Sequence, residues 1–127
     1  MILLDSSVII EMFRKKDKQQ CFFYQLSQTN EDFAISAITH YEIFCGSDAS
    51  QDLYWKDFLR IIPVLPFDTG SSKEAVSIYK ELKRSNKMID LADLLIAATA
   101  KSHKIPLATI NIKHFSRVKG LKLLKNN

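Results

Sequence analysis

Three acidic residues in this sequence, Asp5, Glu42 and Asp93, interrupt segments that are otherwise apolar. Carboxylates that come from distant parts of a chain and meet in one place repel one another and raise each other's pKa, unless a cation neutralises them. Oxygen ligands without Cys or an ordered set of His favour Mg2+, or Mn2+ as the alternative, over zinc. Such a cation polarises a phosphodiester, acidifies a bound water and stabilises an in-line displacement. The three residues therefore predict a metal-dependent phosphodiester hydrolase.

Asp93 lies in the first turn of a helix predicted over residues 89–100. Leu, Ile and Ala fill this segment without a Gly or Pro, which indicates a buried helix in which an unpartnered carboxylate is costly. Two interpretations stay open for the acidic pair in this turn. Asp90 caps the helix and Asp93 occupies the N3 position near the positive end of the dipole, or Asp93 binds a cation. We assign Asp90 as the N-cap, with a role at the metal as its alternative.

Asp5 directly follows the short apolar run of residues 1–4, which is typical of a central parallel strand covered on both faces. Open α/β sheets bind their ligands at the carboxyl ends of the strands, and Asp5 occupies such an end. The structural alternative is that Asp5, Ser6 or Ser7 caps the helix that follows.

Glu42 belongs to a helix predicted over residues 37–45, with Ser36 as its N-cap and Gly46 after its end. The i, i+3, i+4, i+7 spacing places four residues on one face, which we expect to be the inward face: Ile38, Tyr41, Glu42 and Cys45. A structural helix carries an apolar residue at each inward position, so Glu42 favours a functional role. The alternative is that Glu42 lies on an exposed face.

Strand-like and helix-like segments alternate along the chain, which predicts an α/β fold around a parallel sheet. We expect strands near residues 1–4, 33–35, 61–67 (at an edge, because prolines flank it), 105–110 and 121–124. We expect the remaining helices near residues 8–13, 17–28 and 52–60, and one opened by Asp68 or Thr69 that buries Ala75, Ile78, Tyr79 and Leu82.

Length and composition indicate one folded domain, residues 1–127, with 46% hydrophobic residues and a net charge of +4. The first apolar run is too short for a signal peptide, and the sequence lacks the ~18 uninterrupted apolar residues that a membrane span needs. Cys21 and Cys45 are expected to be buried free thiols, which favours a cytoplasmic protein. The modest basic excess is compatible with a nucleic-acid partner.

Four segments together resemble PIN-domain ribonucleases of the VapC type, the toxin half of a bacterial toxin–antitoxin pair. They are LLDSSVII from Leu3, SAITHYEI from Ser36 with Gly46, DLLIAA from Asp93, and LATIN from Leu107 with Phe115. The segments occur in the family's order and span nearly the whole chain. The resemblance implies a PIN-like three-layer α/β/α sandwich with a central, mainly parallel sheet.

The resemblance also assigns Asp5, Glu42 and Asp93 as the catalytic, metal-binding acids and Asn111 as the fourth catalytic position. Many relatives have aspartate where this chain has Asn111, and an acidic residue where His114 stands before the phenylalanine. Because Asn111 is neutral, we expect a second metal to be held loosely and the resting site to bind one.

The implied activity is Mg2+-dependent endonucleolytic cleavage of RNA that leaves a 5′ phosphate, often on structured RNA such as tRNA. Implied partners are an antitoxin protein that wraps the toxin, and a second copy of the chain. Ser7 and Thr109 are candidates for orienting a carboxylate or a water. Candidate RNA contacts, each of which has an ordinary solvated charge as its alternative, are Arg14, Lys15, Lys113, Arg117 and Lys119.

Two other functions compete with this interpretation. A catalytically weak or idle PIN fold could serve as a module that binds RNA or protein, because Asn111 reduces the acidic set. A receiver-type module would use an acidic pocket to bind magnesium and phosphorylate an aspartate. That module needs an acid pair near the first strand and a lysine after a late strand, and only Asp5 matches, so we discount it.

Overall fold

Five short parallel strands form one sheet in the computed structural model, which describes residues 1–126; the last residue of the predicted domain, Asn127, lies outside the described part. The strands are β1 (Ile2–Leu4), β2 (Phe33–Ser36), β3 (Val64–Leu65), β4 (Leu107–Ala108) and β5 (Leu123–Leu124). Their order is β3-β2-β1-β4-β5, and all four neighbouring pairs are parallel. The parallel sheet and the edge position of β3 are therefore confirmed.

Seven helices surround the sheet in this described part, and a 3-10 turn (Lys18–Gln20) precedes the second of them. They are α1 (Ser6–Arg14), α2 (Phe22–Ser27), α3 (Ala37–Cys45), α4 (Ala49–Phe58), α5 (Thr69–Arg84), α6 (Leu91–His103) and α7 (Ile112–Phe115). None of the helices within residues 1–126 combines the length and the apolar character that crossing a membrane requires.

Two of the differences between the predicted and the observed helices have clear local causes. The continuous helix predicted over residues 17–28 is wrong, because Cys21 has an extended backbone (φ −90°, ψ 156°) and divides it into the 3-10 turn and α2. Helix α4 starts three residues earlier than predicted. There Asp48 accepts from the Ser50 and Gln51 amides, and the Gln51 side chain accepts from the Asp48 amide, a capping box that satisfies the first turn.

The sheet is covered on both faces, which confirms the three-layer α/β/α architecture. Side chains alternate along each strand, so Leu3 packs on one face with α5, α6 and α7, while Ile2 and Leu4 pack on the other with α1, α2, α3 and α4. Leu3 and Leu4 are fully buried. This double coverage explains why the strand sequence is a continuous apolar run rather than an alternating one.

Helix α6 is buried, as predicted; its fully buried residues are Ile96, Ala97, Ala98, Thr99 and Ala100. Asp90 occupies its N-cap position, but the carboxylate makes no capping hydrogen bond. The helix ends at Lys104, whose backbone is left-handed (φ 56°, ψ 41°). A side chain in this region costs about 1 kcal/mol or more relative to glycine.

Two predicted burials are wrong. Cys21 is a buried free thiol as expected, but Cys45 is free and exposed. Tyr79 of α5 is 46% exposed, whereas Ala75, Ile78 and Leu82 on the same helix are buried. Tyr79 lies at the border of the apolar stripe, where its hydroxyl keeps contact with solvent.

The sheet has its topological switch point between β1 and β4. Strands β2 and β3 lie on one side of β1, and the later strands β4 and β5 lie on its other side. A crevice opens at the carboxyl ends of the strands on either side of such a point, and ligands bind there in open α/β sheets. Asp5 follows β1 and Thr109 follows β4, so both lie at this crevice.

Candidate functional site

Asp5 is a buried carboxylate, 4% exposed, at the N-cap position of α1. It makes no side-chain capping bond, which argues against the capping interpretation. Instead its Oδ2 accepts hydrogen bonds from Ser7 Oγ at 2.7 Å and from Thr109 Oγ1 at 2.8 Å. No described residue donates to Oδ1, and no lysine or arginine within residues 1–126 forms a salt bridge with this carboxylate. One Asp5 oxygen is therefore left for another partner.

Thr109 and Ser7 are themselves held in place by backbone amides of the loop after β4. Thr109 Oγ1 accepts from the Asn111 amide at 2.9 Å, and Ser7 Oγ accepts from the Ile110 amide at 3.2 Å. Each hydroxyl therefore has its hydrogen free to donate to Asp5. This network orients Asp5 Oδ2 and joins the start of α1 to the end of β4.

Glu42 reaches the same crevice from α3, where Ser6 Oγ donates to its Oε1 at 2.7 Å. The helical face that we predicted to be inward is wrong, since Tyr41 is 67% exposed and Cys45 is exposed as well. The buried positions of α3 are Thr39 and Ile43. Glu42 lies beside this buried face and is partly exposed, so it can reach both Ser6 and solvent.

A chain of hydroxyl groups that sequence reasoning missed supports Glu42. Ser36 caps α3 by accepting from the Thr39 amide at 3.0 Å, and its Oγ lies 3.3 Å from Thr39 Oγ1. Thr39 Oγ1 lies 3.2 Å from Ser6 Oγ, which donates to Glu42. Thr39 is polar but buried, so the spacing of the apolar residues alone indicated the wrong inward face for α3. The available signal was the cluster of Ser and Thr next to Asp5 and at the start of α3.

Asp93 projects from the first turn of α6, and its side chain is 17% exposed. Burial raises the pKa of the Asp93 carboxyl, and the negative charges of Asp5 and Asp90 raise it further, while the His114 hydrogen bond opposes them. The influence of Asp5 on this pKa places the two carboxylates within electrostatic reach of each other. Residues 88 positions apart in sequence are thus brought to one crevice.

Asn111 and His114 reach Asp93 as a connected pair. The Asn111 side-chain amide lies 2.8 Å from His114 Nδ1, and this nitrogen lies 3.3 Å from Asp93 Oδ2. A single ring nitrogen faces both partners, so His114 Nδ1 either accepts from the Asn111 amide or donates to Asp93 Oδ2. Sequence reasoning placed Asn111 at the site but treated His114 only as a departure from the family pattern.

The donor set fits a hard divalent cation. Asp5, Asp93 and Glu42 offer only oxygen atoms, and the one basic side chain paired with any of them among the described residues is His114. Within residues 1–126, no three His, Cys, Asp or Glu side chains converge closely enough to form a complete metal site. The three acids are instead related in pairs: Asp5 lies within electrostatic reach of Asp93, and Glu42 is connected to Asp5 through Ser6, the next residue in the chain.

The basic residues proposed as RNA contacts are dispersed. Arg14 and Lys15 lie at the end of α1 remote from Asp5, roughly 12 Å along the helix axis. Arg117 donates to the Met88 carbonyl oxygen at 3.0 Å, Lys119 pairs with Glu81 at 3.1 Å, and Lys113 is on α7 next to His114. Lys113 and Arg117 are thus the two candidates on segments that adjoin Asp93.

Comparison with known proteins gives consistent matches. The family model for the PIN domain matches residues 2–121. The chain is similar to Ribonuclease VapC1 of Methanocaldococcus jannaschii (36% identity over 96% of this chain and 85% of the relative) and to Ribonuclease VapC3 of the same organism (40% identity over 76% and 94%). Among solved structures it resembles VapBC-1 from nontypeable Haemophilus influenzae, with a TM-score of 0.84, 26% identity and 98% of each chain covered. This chain belongs to the PIN-domain family and, within it, to the VapC group.

Proposed function

We propose that this chain is a Mg2+-dependent endoribonuclease, with Mn2+ as an alternative cofactor, and the toxin of a toxin–antitoxin pair. The observation that carries the proposal is a buried Asp5 carboxylate that has one oxygen without a donor, lacks a basic counter-charge among the described residues and lies near enough to Asp93 to raise the pKa of its carboxyl. Curated relatives that are named ribonucleases support it.

Asp5, Asp93 and Glu42 would hold the cation, which when bound supplies a Lewis acid and an acidified water for phosphodiester hydrolysis. The other side chains position these acids. Ser7 and Thr109 fix Asp5, and Ser6 fixes Glu42. His114 would restrain Asp93 through Oδ2, which leaves Oδ1 without a contact to this ring, and Asn111 would hold the His114 ring.

The substrate we propose is RNA, including structured RNA such as tRNA, cleaved to leave a 5′ phosphate. Lys113 and Arg117 would contact phosphates near the scissile bond, because they lie on segments next to Asp93. The partners would be an antitoxin, since the Haemophilus relative was solved as VapBC, and a second copy of the chain. We propose that residues 1–127 form one PIN domain and that the protein is cytoplasmic, since two free cysteines suit a reducing compartment.

Metal removal tests the proposal directly. Purified protein should cleave total RNA in the presence of Mg2+ or Mn2+, and cleavage should stop completely when EDTA is added. Mapping of the new RNA ends should find 5′ phosphates. Glu42→Gln should lower the rate by at least about tenfold, because it removes one charged oxygen donor. Asp57→Asn, the same chemical change on exposed α4, should leave the rate unchanged. Cleavage that continues in EDTA contradicts the metal mechanism.

The idle-module alternative gives a different result in the same assay. A protein of that kind would bind RNA and gain melting temperature with Mg2+, but would yield no new RNA ends under any metal. Equal cleavage by wild type and by Glu42→Gln would instead indicate a contaminating nuclease.

Thr109→Val tests the positioning of Asp5. Valine keeps the shape of threonine but cannot donate to Asp5 Oδ2 or accept from the Asn111 amide. We expect Mn2+ affinity, measured by calorimetry, to fall about 10- to 100-fold, the usual cost of losing a group that orients a metal ligand. Thr99→Val is the matched control, because Thr99 is equally buried but bonds only the Leu95 carbonyl of its own helix. Equal affinities in the two variants would contradict the role of Thr109.

A further inference from the structure

A groove lies at the edge of the sheet at which β1 and β4 begin, and it extends along the outer strand β5 as far as Lys125. Two adjoining cavities of about 600 and 340 Å3 form it, and residues 104–106 and Lys122 line both. Ile2 at the start of β1 lines the larger cavity, and Asp5 follows three residues later. Because an extended chain rises about 3.3 Å per residue, roughly 10 Å of sheet separates the groove from Asp5.

The groove carries a local excess of positive charge. Lys104, Lys122 and Lys125 line it and are exposed, and none forms a salt bridge with another residue of the range 1–126. Glu31, the acid in its wall, is paired with the Met1 amine at 3.2 Å. We call these two cavities and their three lysines the lysine groove.

The backbone of Lys104 gives an independent indication that its side chain matters. Lys104 ends α6 with φ 56°, a left-handed conformation that favours glycine. Gly120, which lines the smaller cavity, adopts the same region (φ 78°) with the residue type expected there. Ending the helix therefore does not require a lysine, and Lys104 lies where the two cavities meet.

We propose that the lysine groove binds the phosphate backbone of the RNA substrate, away from the bond that is cut. Lys113 and Arg117 would contact only the phosphates near the scissile bond, so a longer RNA gains further binding energy from a second cationic surface. This inference rests on the proposed ribonuclease function for the identity of the polyanion. Lysine ammonium groups bind phosphates as point charges, and the three in this groove suit several phosphates along one strand.

The test is the salt dependence of RNA binding in EDTA, where no cleavage is needed. Fluorescently labelled, unfractionated tRNA is titrated with wild type and with the triple variant Lys104→Gln, Lys122→Gln, Lys125→Gln at several KCl concentrations. We expect the affinity to fall at least about tenfold and the slope of log affinity against log salt to lose about two to three units, close to one per lost phosphate contact. The control triple variant removes three exposed lysines outside the groove that are in no salt bridge: Lys56, Lys73 and Lys80.

Each other outcome overturns the proposal. Equal losses in the two triple variants would indicate a general effect of net charge, and an unchanged salt slope would exclude phosphate contacts. A parallel titration with polyglutamate identifies an acidic protein as the occupant if the groove variant loses polyglutamate but keeps tRNA. Failure of the ribonuclease proposal is distinguishable, because it removes cleavage in Mg2+ and leaves this binding measurement intact.

Lys104→Gly separates binding from folding. Glycine accepts the left-handed backbone, so the melting temperature should stay at or above that of wild type. Affinity for tRNA should fall about threefold, with a loss of about one unit in salt slope. A Lys104→Gly variant with unchanged tRNA affinity would contradict a role for this lysine.

Discussion

Asp93→Asn should lower the rate of RNA cleavage at least about a hundredfold, and it should raise the melting temperature of the metal-free protein. The activity falls because the amide supplies one neutral oxygen where the proposed cation needs a charged one. Stability rises because Asp93 is largely buried near Asp5 and Asp90, and their charges together with burial raise its pKa. Asparagine removes the repelling charge and keeps a group that can bond His114.

The sign of the stability change follows from proton linkage. A raised pKa means that the folded protein binds the Asp93 proton more tightly than the unfolded chain does. The contribution of this group to stability is therefore present at low pH and is lost as pH rises through the raised pKa. The advantage of Asp93→Asn over wild type should accordingly be small in acid and reach its full value near neutral pH, as urea unfolding at a series of pH values would measure.

Added Mg2+ should reverse the order of stability. A cation shared by Asp5 and Asp93 removes their repulsion, so Mg2+ should raise the melting temperature of wild type more than that of Asp93→Asn. Asp57→Asn again serves as the surface control and should follow wild type in both conditions. An Asp93→Asn protein that melts below wild type without metal, or that cleaves RNA at the wild-type rate, would contradict our account of the site.

Asp5 and Asp93, which stand out from the residue pattern alone, share one physical property: each is a charge where burial penalises a charge. Asp5 follows a fully apolar strand and Asp93 lies in a buried helix, so each charge conflicts with its apolar neighbours. This conflict can be detected from the amino-acid sequence alone. The parallel sheet was predictable for a similar reason, since β1 has no polar residue and must be covered on both faces.

The features that sequence reasoning missed depend on how α3 is rotated about its axis and on hydrogen bonds between neutral groups of α3, Ser6 and Ser36. Thr39 is buried because Ser6 and Ser36 satisfy its hydroxyl, and this turned α3 away from the face that the apolar spacing indicated. Glu42 was found for an incorrect reason, because the predicted neighbours Tyr41 and Cys45 are exposed. Hydroxyl pairs that form across elements leave no periodic pattern in a single sequence.

Phe115→Ala should cost about 3–5 kcal/mol in the free energy of unfolding and should also weaken Mn2+ binding. Phe115 is completely buried among residues of α5 and α6 and anchors α7, a helix of only four residues. Because α7 carries His114, a cavity at this anchor displaces the ring that contacts Asp93. Typical domains have about 5–15 kcal/mol of stability in total, so the variant should be only marginally folded at 25 °C.

Two companion variants separate the effect on the site from the effect on stability. Trp55→Ala removes a buried aromatic from α4, in the opposite layer, and should cost a similar free energy without changing Mn2+ affinity per folded molecule. Phe115→Leu keeps most of the side-chain volume. Its free energy of unfolding should therefore stay within about 1.5 kcal/mol of wild type, and its Mn2+ affinity within about threefold. Urea unfolding gives the stabilities, and calorimetry at 10 °C gives the affinities. If Phe115→Ala and Trp55→Ala lose Mn2+ affinity equally, the anchoring of α7 has no specific role at the carboxylates.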